Sequence, residues 1–227
     1  LRAKAVFAGT AIDIETAEIR VDSGIVSGRG RYDRASTLFD GNFVGSNVPL
    51  PLALSFLPAN ETIPVILGNT DFTLRANGSF DRPSSIDVNF AGTAREVVIN
   101  ENQFGDISFK GITERQVLNA DLTATLDGKA QVFNATVDFA KDELPFRVEH
   151  RLDQSPLRPF FALVPRLRGI SIGGTGTGVV EFGGNLTVVD GSGDRVFSTD
   201  ALRGSARFSQ LSLQLQDTPL VATEPVS

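Results

Sequence analysis

The chain has 227 residues, 41% of them hydrophobic, carries a formal charge of −6, and contains no cysteine, methionine or tryptophan. That length allows one or two ordinary cores, and the absence of cysteine excludes a disulfide framework and any thiolate metal site. The acidic balance excludes the clustered basic surface that nucleic acid demands, and no apolar run is long enough to span a bilayer as a helix.

Taken in chain order, the dominant signal is period 2. The chain opens inside an apparent strand at Leu1–Thr10, without an initiator methionine, and reads as a segment of something larger. A short alternating run follows at Ala17–Val21. Residues 49–58 break the pattern. They are apolar, do not alternate and are bounded by Pro49 and Pro58, so they suit a short helix or loop plugging a sheet rather than a central strand. Alternation resumes at Phe72–Ala76 and at Ile86, Val88 and Phe90. It returns at Ala120, Leu122, Ala124 and Leu126, then through Gln131–Phe139. Successive strand side chains face opposite ways, so each run carries one apolar and one polar face.

Asp127-Gly128 between two such runs predicts a hairpin. A four-residue loop, 127–130, pairs Ala124 with Phe133, Leu122 with Ala135 and Leu118 with Phe139. We expect that register over a two-residue loop, which sets Ala124 against Gln131. His150, the only histidine, reads as a polar surface residue before a turn. Residues 156–165 repeat the Pro-bounded apolar pattern of 49–58. In Gly173–Gly178 the alternate glycines leave one strand face bare for close backbone packing, and Val179–Phe182 reads as more strand. Leu211, Leu213 and Leu215 close the series. The fold class is all-β.

The chain also resembles itself. Phe7–Ala11 (FAGTA) recurs at Phe90–Ala94 and more loosely at Leu202–Ala206, and residues 49–58 align with 156–165. The common order predicts repeat units with insertions, stacked in one direction. The expected divisions are a partial unit at 1–47, a unit at 48–155 and a partial unit at 156–227, in one continuous structure.

Enzyme readings lack parts. A single histidine excludes a His-ligated metal, and no calcium-loop spacing is present. The glycine run fails the dinucleotide fingerprint because Val179 stands where its last glycine belongs. Asp13 with Glu15, and Glu18 with Arg20 and Asp22, read as solvated strand faces. Asn60, Asn77, Asn134 and Asn185 begin glycosylation sequons, although such residues are common in β-turns. We expect no catalytic residues, no cofactor and no metal.

Several phrases resemble TamB-like members of the AsmA-like family. They are DALRGSARFSQLSLQL at Asp200–Leu215, the tail Thr218–Val226, GNTDFTLRANGSF at Gly68–Phe80, and the strand–glycine rhythm of Leu167–Leu186. The resemblance implies a long twisted sheet bent into a trough with an apolar interior. It further implies the periplasmic portion of an inner-membrane-anchored protein of a Gram-negative-type envelope. The implied role is phospholipid transport and outer-membrane protein assembly, with phospholipid acyl chains and a BamA-family barrel as partners. On that reading Phe72, Leu74, Ile86, Val88 and Phe90 line the groove, together with Leu118, Leu122, Phe133, Val137 and Phe139. The alternative is an extracellular or periplasmic β-solenoid adhesin of autotransporter-passenger type. A closed β-sandwich binding module stands behind it.

Overall fold

A computed structural model describes residues 2–54, 65–100, 102–126, 128–161, 170–189, 195–215 and 218–221. Nearly all of them are strand. The order is β1 (Arg2–Ala8), β2 (Ala11–Val21), β3 (Gly24–Asp33), β4 (Leu38–Pro49), α1 (Leu50–Leu54), β5 (Ile66–Ser79), β6 (Arg82–Ile99) and β7 (Asn102–Glu114). There follow β8 (Val117–Leu126), β9 (Lys129–Asp138), β10 (Pro145–Pro156), α2 (Arg158–Phe161), β11 (Ile170–Val189), β12 (Arg195–Leu215) and β13 (Thr218–Val221). Among the described residues these strands make one sheet in sequence order, and each pairs antiparallel with its neighbours in the chain. β1 and β13 lie at opposite edges. The fold is therefore an open meander, neither a parallel coil nor a two-sheet sandwich.

Tight turns make the meander possible. Ala8 pairs with Ala11, Val21 with Gly24 and Glu114 with Val117, leaving two-residue loops that match the twist of paired strands. At the β7–β8 turn Arg115 (φ 50°) and Gln116 (φ 66°) both take the left-handed conformation without a glycine. The 127–130 loop expectation is corrected. Leu126 pairs with Lys129 and Ala124 with Gln131, so this loop too has two residues, with Gly128 at φ 75°. Registers that differ by two residues keep every side chain on the same face, so the apolar pattern could not separate them. The pairing of Leu126 with Lys129 decides the matter.

Three strands carry an extra residue of the same kind. Asn47 in β4 (φ 52°), Glu96 in β6 (φ 53°) and Gln154 in β10 (φ 49°) sit where the register shifts. Each donates its backbone N–H to a side chain on the next strand: to Asp71 at 2.7 Å, Asp106 at 3.1 Å and Thr177 at 3.3 Å. The residue after each bulge, Val48, Val97 or Ser155, is buried. Bulges bend and twist a strand, so the sheet turns at this level.

The two Pro-bounded segments follow two of these bulges. Pro49 ends β4 and leads into α1, and Pro156 ends β10 and leads into α2, as expected of short plugs; residues 55–58 and 162–165 lie outside the described set. Leu50 of α1 packs on a buried cluster of Ala94, Val97, Phe104, Ile107, Ala124 and Leu126. Fully burying a side chain such as Phe104 or Leu126 contributes about 1.5–3 kcal/mol. The other self-match does not hold at the level of conformation. Phe7–Ala11 straddles the β1–β2 turn, whereas Phe90–Ala94 and Leu202–Ala206 run through strand interiors.

Candidate functional site

Cross-strand register joins the separate apolar runs into continuous rows. One row passes from β4 to β11 through Phe43, Leu74, Phe90, Gly111, Ala120, Ala135, Val148 and Phe182. Beside it runs Gly45, Phe72, Gly92, Phe109, Leu122, Phe133, His150 and Val180. A third row contains Ala76 and Val88 on β5 and β6, then Leu118, Val137 and Phe146 on β8 to β10. With strands about 4.8 Å apart, this apolar face runs roughly 34 Å across eight strands.

All ten residues expected to line a groove fall on this face. Phe72, Leu74, Val88, Phe90, Leu118, Leu122, Phe133 and Val137 stand in the rows. Ile86 lies two residues before Val88 and so points the same way. Phe139 continues the alternation one residue past β9, where its N–H donates to the Gln116 carbonyl at 2.8 Å. Every one of the ten is half-buried, neither sealed nor fully exposed.

The opposite face is mostly polar, with Val44, Ile112, Val132 and Val179 exposed among its polar residues. A row of Thr73, Ala91, Lys110, Asp121, Asn134, Glu149 and Glu181 crosses β5 to β11 and meets the exposed Val44 on β4. Lys110 pairs with Asp121 at 3.3 Å, Asn134 donates to Asp121 at 2.8 Å, and Arg147 reaches both Glu149 and Glu181. Exposed pairs of this kind add little stability, about 0–1 kcal/mol each, but they keep the face wet. Nearer the bulges, the Asn47 backbone N–H and, beside it, Arg95 hold the Asp71 carboxyl below its usual range.

Glycine gives the apolar face its shape. A Cβ built on Gly45 would stand 2.2 Å from the Phe72 ring, and one on Gly111 would stand 2.5 Å from the Phe90 ring. At Gly92 the Phe109 ring is 2.6 Å away, and at Gly28 the Phe43 ring is 2.5 Å away. In each case ring and glycine are direct cross-strand partners. The rings therefore lie over their neighbours instead of standing upright. Sequence reading missed Phe43 and Phe109 because glycines interrupt the apolar runs of β4 and β7. Scoring glycine as a small apolar residue restores the period in Phe39-x-Gly41-x-Phe43-x-Gly45 and in Phe109-x-Gly111.

His150 corrects another expectation. It lies within β10 on the apolar face, 6% exposed, stacked on Phe133 with ring centroids 4.0 Å apart. Its Nδ1 is 3.0 Å from the Val132 carbonyl oxygen, which can only accept, so Nδ1 carries the proton. Burial lowers its pKa below 6.5, against the opposing effect of that carbonyl. Strand neighbours, not position along the chain, place it there: it pairs directly with Phe133 and Val180.

Among the described residues no group of three or more His, Asp or Glu is placed to hold a metal ion. No helix among them is long and apolar enough to cross a membrane. No family model, no curated protein and no solved structure matches the chain.

Proposed function

We propose that this chain is a non-catalytic, periplasmic segment of a TamB/AsmA-like protein, and that its apolar face carries phospholipid acyl chains. In this reading the whole protein is anchored in the inner membrane and works with a BamA-family barrel. Its roles are lipid transport and outer-membrane protein assembly. The observation that carries the reading is the half-buried apolar face, continuous over eight strands and backed by a mostly polar one. An acyl chain laid on such a surface gains about 0.8 kcal/mol for each methylene it buries. That attraction has no preferred direction or position, which suits a cargo that must slide.

Photo-crosslinking amino acids at positions 122 and 123 of the full-length protein in cells test the proposal. Leu122 belongs to the apolar rows, and Thr123 points to the polar face between Ser108 and Val132. Lipid adducts at 122 and none at 123 are the expected result. Absence of adducts at both, in a folded protein, overturns the reading.

A further inference from the structure

We infer that Gly45 and Gly111 set the depth of the apolar trough, by giving the rings of Phe72 and Phe90 somewhere to recline. The inference rests on the lipid-carrying reading and names the residues that shape the passage. Aliphatic carbons settle at about 3.5–4.0 Å. A methyl group on Gly45 would stand 2.2–2.7 Å from three atoms of the Phe72 ring, and those are its three nearest atoms. A methyl on Gly111 would meet two atoms of the Phe90 ring at 2.5 Å, with only the Ala120 Cβ next, at 3.2 Å. At both positions the first atoms that would have to yield belong to a side chain. On this inference the ring yields away from the sheet, into the space above it. Gly92 and Gly28 accommodate rings as well, but carbonyl oxygens at 2.4 and 2.7 Å also crowd them, so substitution there would disturb the sheet itself.

The reclined rings also say what the face is shaped to hold. A second sheet or a protein partner docks through side chains that interdigitate with knobs and hollows. Rings laid over Gly45 and Gly111 fill the space those glycines leave open. A methylene chain needs contact along its length and no hollow, so a surface filled in this way suits it. Glycine in a strand interior costs stability. Here it exchanges some stability for clearance.

Position 74 reports on both rings, since Leu74 pairs with Phe90 and lies two residues from Phe72 on the same face. A photo-crosslinker there, in the full-length protein in cells, should form lipid adducts in the parent. Gly45→Ala and Gly111→Ala should each lower the yield at least threefold. Gly45→Ala/Phe72→Leu and Gly111→Ala/Phe90→Leu should restore it, because the smaller side chain no longer has to rise. Parent-level adducts in both alanine variants overturn the inference and leave the lipid reading intact. If a single variant fails to fold, its double variant decides: a cooperative melt with restored adducts supports the inference, and adducts still lost overturn it. Absence of adducts in the parent at 74 and at 122 overturns the lipid reading and this inference with it.

Discussion

The Ser155 hydroxyl donates to the side-chain carbonyl of Gln131 at 2.6 Å, joining β10 to β9, and each residue is no more than 1% exposed. The same hydroxyl accepts the Asp153 N–H at 3.1 Å, and the Gln131 amide donates to the Lys129 carbonyl at 3.4 Å. This bond explains how a glutamine can stand opposite Ala124 on the apolar face. It also couples the bulge at Gln154 to the hairpin at residues 126–129.

Removing the donor should therefore cost more than its size suggests. Ser155→Ala leaves a buried carbonyl without its partner and should destabilise the protein by about 1–3 kcal/mol. Gln131→Leu in the same background should recover part of that loss. A double-mutant cycle by chemical denaturation should give a coupling energy of about 0.5–3 kcal/mol. Additive losses would show that the two side chains act independently.

Stability should fall on mild acidification. The buried His150 has a lowered pKa, so the unfolded chain binds its proton first as pH drops. Its contribution is complete above about 6.5, the unfolded value, and is lost as pH falls through the lower folded value. Desolvation on the apolar face, beside its cross-strand partners Phe133 and Val180, is the main cause of that lowering. Thermal melts from pH 7.5 to pH 5 should show a decline in Tm that His150→Phe flattens.

The β7–β8 turn holds recoverable strain. Arg115 and Gln116 both have positive φ, a conformation that Asn-Gly adopts readily. Arg115→Asn with Gln116→Gly should stabilise the protein by about 0.5–2 kcal/mol, read as a raised denaturation midpoint with unchanged slope. A fall in midpoint would mean that the two native side chains contribute contacts that outweigh the backbone gain.

A charge should be tolerated differently at two positions of one strand face. Ala124 is 1% exposed within the sealed cluster, while Leu122, two residues away, is half-buried. Ala124→Arg strands an unpaired charge and should cost about 3–5 kcal/mol. At position 122 the long side chain can carry its charged end to water, so Leu122→Arg should cost well under half of that. Equal losses in a denaturant titration would show that the face is closed at 122 as well.

The strands and their two faces were legible because period 2 is a local property. Leu118 to Leu126 and Gln131 to Phe139 announce both without reference to any partner. What escaped depends on the partner. The Asp127-Gly128 register admits a two-residue shift that leaves every face unchanged. The bulges use Asn47, Glu96 and Gln154 at positive φ where glycine would have been the visible choice. His150 is buried because of Phe133, and Phe72 reclines because of Gly45. Both facts live in the pairing of strands, which no single run reveals.

The strictly sequential strand order has a consequence for how the molecule comes into being. Each strand needs only the one just made, so an emerging polypeptide can zip up hairpin by hairpin during synthesis without waiting for distant segments. The growing sheet never lacks a docking edge for the next strand. For the same reason it always presents unpaired backbone groups at that edge, and those groups accept a foreign strand as readily as the right one. Fidelity then depends on speed: across the two-residue turns the native strand is tethered closely and arrives ahead of any competitor.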